Sequence, residues 1–457
     1  MHMKTDAMLM TEGPIYPQII SFAVPLFWGQ LFQQLYNVVD SVVVGNFCGR
    51  SSLAAVSSTG ALVFLLVGFF SGTFTGCGVV ISKYYGAERY DLVRTAVHTS
   101  VAFGLVAGLA MSLIGVVFTP LFLRWMGTPS DVLPQAVTYL RIYFAGSIAV
   151  TLFNSASGIF QSVGDSKHPL HYLIISSLTN VVMDLLFVAV FDMGVAGAAI
   201  ATIISQFLGA ALAFRRLFAS NEIYRVRLRE IRFDREILKE ELRTGLPSGI
   251  QNSVISIANI VVQSKINSFG TIAVAGCGVH SKIEGFAFIP ITSFSMAITT
   301  FISQNLGAGR YKRAKKGAWF SIAVCCALAE TFGLLYYIAA PHLISLFNRE
   351  PEVIAIGTLE AHTICLFYVL LAFSHCVAGI MRGAGRAAVP MFTMFGIWCV
   401  LRVTYISIVT SFVPKIVMVF WAYPLTWFLS SIIFLIYLLK SDWVHSFDRD
   451  DRLSACR

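Results

Sequence analysis

Apolar runs long enough to cross a lipid bilayer recur along this chain from Ile15 to Leu439. A helix needs about 20 residues to cross the roughly 30 Å of hydrocarbon. Continuous apolar blocks such as ALVFLLVGFF (61–70) and SIIFLIYLL (431–439) favour helices, because the strands of a membrane barrel alternate apolar and polar residues. Only 12% of the residues are charged, against roughly a quarter in soluble domains. The sequence therefore predicts an all-α integral membrane protein.

The hydrophobic pattern predicts twelve membrane-spanning helices. The predicted spans are about 15–44, 53–82, 92–118, 136–161, 169–191, 195–218, 243–268, 272–303, 315–341, 356–380, 389–411 and 417–439. They give an N-terminal tail (1–14), a first lobe of six helices (15–218), a polar linker (219–242), a second lobe of six helices (243–439) and a C-terminal tail (440–457). Ile231, Ile237, Leu238 and Leu242 suggest either an amphipathic helix on the inner leaflet or a solvated connector in the linker.

Basic residues concentrate on one side of the predicted membrane. The connections after the even-numbered spans up to the tenth carry most of them, including the block 215–243, whereas each opposite connection holds one at most. The positive-inside rule therefore predicts a multi-pass protein of the plasma membrane with both termini in the cytoplasm. Topology accounts for the net charge of +9, so a nucleic-acid partner is not expected.

Two pairs of motifs indicate an internal repeat. ISKYYGAERYDLVRTA from Ile81 resembles ISQNLGAGRYKRAKKGA from Ile302, a shift of 221 residues. The same shift places GIFQSVGDSKHP (158–169) on GIMRGAGRAAVP (379–390). Since each copy holds six spans, both copies enter the membrane in the same sense. We predict two pseudo-symmetric six-helix bundles arranged as a parallel repeat, as in many secondary transporters.

Polar residues inside the apolar spans form the candidate site. Asp184 in span 5 follows Asn180 by one helical turn, and Asp40 in span 1 follows Asn37 by three residues. Thr202 in span 6 adds a hydroxyl. A carboxylate in the middle of a membrane helix costs about 2.5–3.5 kcal/mol, which favours a functional role. If spans 1, 5 and 6 pack together, the two acids are expected to hold a proton or Na⁺, although a polar cluster that joins the helices is the alternative.

Further substrate or coupling candidates are Gln34, Asn37, Asn154, Gln206, Gln251, Glu284 and Met296. Span 7 has polar amides but no carboxylate.

Pro25 removes a backbone hydrogen bond in span 1 and predicts a bend before Asp40, either fixed or part of a transport cycle.

These motifs together resemble the multidrug and toxic compound extrusion (MATE) family. The resemblance rests on NVVDSVVVG in span 1, TNVVMDLLFV followed by GVAGAAIATIISQ, and the paired GAxR sequences after spans 2 and 8. It implies a V-shaped pair of bundles that exports organic, often cationic, compounds in exchange for Na⁺ or H⁺. It also implies a cation site at Asp40, Asn180, Asp184 and Thr202. Because span 7 lacks the acid of the NorM-type branch, the chain is similar to the branch that relies on the amino-lobe site.

We therefore expect a cation-coupled antiporter that exports drugs or metabolites by alternating access. A flippase for lipid-linked oligosaccharides or lipids, with the same superfamily shape, is the alternative. An enzyme is not expected, because the sequence has no HExxH or GxSxG motif and no Cys/His metal spacing. The expected partners are a small organic substrate and the bilayer. We expect a monomer with no cofactor besides the coupling ion, Na⁺ or H⁺.

Overall fold

Helices make up most of the residues that the structure describes. The computed structural model describes residues 8–47, 49–126, 128, 130 and 132–448, without the side chains of Asn37, Asp40 and most residues from 41 to 61. The helices are α1 (Ile15–Phe47), α2 (Gly49–Gly86), α3 (Tyr90–Trp125), α4 (Leu133–Ala145), α5 (Ser147–Ser162), α6 (Lys167–Asp184), α7 (Gly194–Ala219), α8 (Arg235–Asn267), α9 (Thr271–Gly307), α10 (Tyr311–Ser345), α11 (Pro351–Ile364), α12 (Tyr368–Gly383), α13 (Ala388–Met394), α14 (Arg402–Phe412) and α15 (Ile416–Lys440).

Short stretches of other helix types complete three of the spans. A π-helical turn, Leu185–Val190, continues α6, and a second, Phe395–Leu401, joins α13 to α14. A 3₁₀ turn, Cys365–Phe367, joins α11 to α12. Each of the twelve predicted spans is thus helical, and the all-α fold class is confirmed over the described residues.

Ten helical segments in the described part of the chain are long and apolar enough to cross a membrane. The pair α4 and α5, bent by 47°, makes an eleventh if it counts as one span. The remaining predicted span lies in α8, which is long but falls below the same apolarity criterion. Its amides at Gln251, Asn252 and Gln263 lower the apolarity of this helix.

Two compact units divide the described residues. The first contains Trp28–Gly245 together with Met8 and Leu9, and the second contains Met10–Phe27 and the chain from Leu246 onward. Helix α1 therefore passes from the second unit into the first after Phe27, and α8 passes from the first into the second after Gly245. Pro25 and Pro247 lie within these helices close to the two passages, and each removes one backbone hydrogen bond. The helices nevertheless continue through both prolines.

The repeated glycine motif has the same packing role in both units. A Cβ atom on Gly158 of α5 would lie 3.0 Å from the carbonyl oxygen of Phe74 on α2. A Cβ atom on Gly379 of α12 would lie 2.6 Å from the carbonyl oxygen of Ser295 on α9. Phe74 and Ser295 are related by the same shift as the two glycines, so the internal repeat is present in the packing as well as in the sequence.

The polar linker packs into the core of the first unit. Tyr224, Val226 and Ile237 are buried in an apolar cluster with residues of α2, α3, α5 and α7. His98 of α3 accepts a hydrogen bond from the backbone N–H of Arg227 over 2.9 Å at its Nε2 atom. The segment is therefore not a solvated connector along its whole length. Its apolar residues contact the bundle instead.

Candidate functional site

Asn180 and Asp184 lie on the buried face of α6. They are 1% and 0% exposed, whereas Leu178 and Val182 on the opposite face are more than half exposed. Since α6 has 3.6 residues per turn, residues four apart share one face, which fits the arrangement expected from the sequence. The Asp184 carboxylate thus points into the first unit and not toward its outer surface.

Helix α7 covers this face and is joined to α6 by hydroxyl groups. The Ser176 hydroxyl donates to the Ser205 carbonyl over 2.7 Å. The Ser205 hydroxyl in turn donates to the Thr202 carbonyl over 2.7 Å. The first bond joins α6 to α7, and the second lies within α7, one turn from Thr202.

The Asn180 amide connects Asp184 to α7. Its oxygen and nitrogen are assigned from the surrounding donors and acceptors, since only one orientation satisfies both. In that orientation the amide nitrogen donates to Asp184 Oδ2 over 3.2 Å, and the amide oxygen accepts from the backbone N–H of Thr202 over 3.2 Å. The structure therefore brings together three of the four residues expected at the cation site.

The Thr202 hydroxyl is oriented by its own helix. It donates to the Ala198 carbonyl over 3.0 Å, so its hydrogen atom is occupied and its oxygen lone pairs remain as acceptors. Thr202 is buried along with Asn180 and Asp184. We define these three residues as the α6–α7 polar cluster.

A π-helical turn begins immediately after Asp184. It covers Leu185–Val190 and ends one residue beyond, at Phe191, whose backbone N–H donates to the Leu186 carbonyl. A π turn accommodates one extra residue and often occurs at functional sites. Asp184 thus lies at a change in helical geometry, where the backbone carbonyls are not all committed to α-helical hydrogen bonds.

Asp40 and Asn37 lie in α1, but their side chains are outside the described residues. Their expected approach to the α6–α7 polar cluster stays a prediction. In the second unit, α1 includes Pro25 within an unbroken helix.

The remaining candidates of the first unit are half-buried. Gln34 is in α1, Asn154 in α5 and Gln206 in α7. The Asn154 amide donates to the Val150 carbonyl of its own helix over 2.8 Å. Gln206 follows Thr202 by one turn on the same face of α7, which places it next to the polar cluster along that helix.

The candidates of the second unit have different surroundings. Gln251 is buried, and its amide nitrogen lies 2.9 Å from the Met394 sulfur. Glu284 accepts a hydrogen bond of 3.4 Å from the Tyr368 hydroxyl, and Met296 is half-buried. Gln251 is therefore covered by protein in this structure, whereas Glu284 is partly exposed.

Sequence reasoning missed Arg402, a 2% exposed cation in the second unit. Its Nη2 atom donates to the Thr426 hydroxyl over 2.8 Å, and its guanidinium lies 4.5 Å from the centre of the Tyr423 ring. The signal was available, because Arg402 is the one charged residue in the predicted span 389–411. A cation in such a span needs polar or aromatic partners on other helices.

A model of the MatE family matches the chain twice, over residues 25–186 and 247–408. The two stretches are equally long and correspond to the two copies of the internal repeat.

Two curated relatives and one solved structure are similar along most of the chain. "Probable multidrug resistance protein YoeA" of Bacillus subtilis is 29% identical over 400 residues, 85% of this chain and 86% of the relative. "Multidrug export protein MepA" of Staphylococcus aureus is 22% identical over 401 residues, 86% of this chain and 88% of the relative. A structure described as the outward-facing conformation of a multidrug resistance MATE family transporter is 22% identical, with a TM-score of 0.88, and covers 95% of this chain and 98% of that one. This likeness shows the fold.

Proposed function

This chain belongs to the MatE family, and we propose that it is an antiporter that exports organic, often cationic, compounds in exchange for protons. Members of this family are transporters, so the chain is a membrane transporter and not an enzyme. Its partners are the bilayer and small organic substrates. The direction and the substrate class are supported by relatives named for multidrug resistance and multidrug export.

The α6–α7 polar cluster is the observation that carries the proposal. A carboxylate at 0% exposure inside an apolar bundle is costly unless it binds a proton, a cation or a hydrogen-bond donor. Asn180 supplies one donor, which holds the carboxylate in one orientation. An exchanger needs such a group, because its charge can change while its position stays fixed.

A proton is the simplest coupling ion for this cluster. The Asn180 amide nitrogen donates to Asp184 Oδ2 and holds the carboxyl in place. A sodium ion would need several oxygen ligands around the carboxyl at once. A proton needs only one carboxylate oxygen, so the cluster can bind it without rearranging.

Coupling then follows from a difference in affinity between two orientations of the transporter. Protonated Asp184 is neutral and favours one orientation, whereas ionised Asp184 attracts a cationic substrate and favours the other. Each ligand shifts the equilibrium only by the ratio of its affinities for the two states, and the coupling is reciprocal. From the motif in span 1 we propose that Asp40 shares this proton.

We propose a location in the plasma membrane, and the basic connections support an orientation with both termini in the cytoplasm. We propose that the protein acts as a monomer, because the residues of the candidate site all come from one chain. The flippase alternative would require several cations to hold a pyrophosphate. Arg402, a buried cation of the second unit, already contacts Thr426 and Tyr423.

Efflux of a cationic dye from vesicles tests the proposal. The purified protein is reconstituted, and the same dye gradient is combined in turn with a proton gradient and a Na⁺ gradient of equal size. We expect dye transport to follow the proton gradient and to reverse when that gradient is reversed. Transport that follows Na⁺ alone would refute proton coupling, and transport that neither gradient affects would refute antiport.

A further inference from the structure

Two adjacent glutamates at the start of α8 have opposite surroundings. Both oxygens of Glu240 have partners, since Lys83 Nζ lies 3.1 Å from Oε1 and the Tyr84 hydroxyl donates to Oε2 over 2.6 Å. Glu240 is therefore paired with a cation and a hydroxyl donor. It is also partly exposed. The next residue, Glu241, has different surroundings.

Glu241 is 0% exposed. Its Oε1 atom accepts a hydrogen bond of 2.5 Å from the Ser100 hydroxyl of α3. Its Oε2 atom is buried and has no hydrogen-bond partner among the described residues. An ionised carboxylate with an oxygen left in this state loses its hydration without compensation. A bound proton on Oε2 removes the charge and most of that penalty.

The electrostatics of Glu241 agree with this geometry. The carboxyl lies two residues before the predicted seventh span. Burial raises the pKa of Glu241 well above the ordinary glutamate value, the Ser100 hydrogen bond lowers it, and the negative charge of Glu240 raises it further. Cys77 on α2 is the other titratable neighbour that interacts with this carboxyl.

Three titratable side chains on the neighbouring helices contact other groups. Lys83 and Tyr84 of α2 contact Glu240. His98 of α3 lies 2.6 Å from the Arg94 carbonyl at Nδ1 and accepts from the Arg227 backbone at Nε2. None of these described contacts brings a cation to Glu241.

Close packing keeps water away from Glu241. A Cβ atom on Gly76 of α2 would lie 2.3 Å from the Cα atom of Gly245, so α8 and α2 meet backbone to backbone. The Thr244 hydroxyl donates to the Gly76 carbonyl over 3.0 Å in the same interface. Cys77, which follows Gly76 on α2, is 1% exposed. Access to the Glu241 carboxyl therefore requires α8 to separate from α2 and α3.

We propose that Glu241 is a second proton-binding site, separate from the α6–α7 polar cluster and located where α8 packs on α2 and α3. Its carboxyl takes one proton from water when the interface closes, and returns that proton to water when the interface opens. The ligand is the proton itself, and no other reactant is needed. The site is distinct from the proposed transport function, because its occupancy depends on the packing of α8 and not on a substrate.

The sign of the pH dependence follows from linkage. The closed interface binds the proton more tightly than the open one, so it is favoured at low pH. The bound proton stabilises the closed interface fully below the ordinary pKa of glutamate, about 4.3. This stabilisation is lost as pH rises from there to the raised pKa of Glu241 in the closed state. Within that window, opening increases by up to about tenfold for each pH unit.

Alkylation of Cys77 measures this opening. The full chain is prepared with Cys77 as its only cysteine and is treated with N-ethylmaleimide from about pH 5 to about pH 9, without substrate. The same protein carrying Glu241→Gln is measured in parallel, because the ionisation of a thiol exposed to water contributes to both rates, and the charge of Glu241 would only slow alkylation of the unaltered chain as pH rises. We expect this ratio, unaltered chain over variant, to rise with pH by up to about tenfold per unit.

Glu240→Gln is the matched control, since it makes the same change one residue away at a paired carboxylate. This variant is expected to keep the steep pH dependence of the unaltered chain. A ratio for Glu241→Gln that does not change with pH would overturn the proposal. Because dye efflux is not measured, failure here leaves the proposed antiport function unaffected.

A second measurement covers the case in which Glu241→Gln does not fold. Infrared spectra of the unaltered chain near pH 8 are expected to retain the C=O stretching band of a protonated carboxylic acid. Glu241→Met, an apolar side chain of similar length, is expected to fold and to reduce that band. A spectrum of the unaltered chain without any such band, or a band that Glu241→Met leaves unchanged, would overturn the proposal.

Discussion

Asp184→Asn is expected to reduce proton-driven dye efflux to a residual rate only slightly above that of vesicles without protein, while the protein stays folded in the membrane. Asparagine has the shape of aspartic acid and can accept the hydrogen bond from Asn180, so the α6–α7 polar cluster stays intact. It cannot ionise, however, and therefore resembles the protonated state permanently. The proton gradient then has no group through which it can favour one orientation.

Asp192→Asn provides the matched control for this prediction. It makes the same chemical change eight residues later, at an exposed position beyond the π turn. Efflux by Asp192→Asn is expected to equal that of the unaltered chain, and melting temperatures in detergent are expected to agree among all three proteins. Full proton-driven transport by Asp184→Asn would remove the α6–α7 polar cluster from the coupling mechanism.

Asp40→Asn is expected to cause a comparable loss of proton-driven efflux. This follows from the motif in span 1, in which Asn37 and Asp40 repeat the amide–acid pair of Asn180 and Asp184. If the two acids share one proton in one pocket, they act as a unit, and their effects are not additive. The double variant Asp40→Asn with Asp184→Asn should then transport no more slowly than either single variant.

The comparison of single and double variants is made under a proton gradient that leaves measurable residual transport. Each single variant serves as the reference for the double variant. Rates that fall by independent factors in the double variant would indicate two separate sites. Unchanged coupling in Asp40→Asn would indicate that Asp184 acts without it.

Much of the fold was predictable because membrane helices must satisfy their own backbone hydrogen bonds. This constraint, together with the length of the apolar runs, located the twelve predicted spans, each of which is helical. The buried face of Asn180 and Asp184 followed from helical periodicity alone. The repeat was also visible in the sequence as two pairs of similar motifs. One pair contains Gly158 and Gly379, which lie at equivalent close helix contacts where no larger side chain fits.

Other features depend on contacts between distant segments and could not be predicted. The linker was expected to lie outside the bundle, yet Ile237 and Tyr224 are buried in the core of the first unit. The burial of Glu241 arises in the same way, from Ser100 and Gly76 on other helices. Its neighbour Glu240 looks identical in sequence, and only the positions of Lys83 and Tyr84 distinguish the two carboxyls.

The most direct test of the proposed coupling is to measure protons released when a cationic dye binds to the purified protein in weakly buffered detergent solution. The unaltered chain is expected to release protons on binding near neutral pH, because dye and proton compete through the charge of Asp184. Asp184→Asn is expected to release none, whereas Asp192→Asn should behave like the unaltered chain. Equal proton release by Asp184→Asn and the unaltered chain would contradict the assignment of the coupling site to the α6–α7 polar cluster.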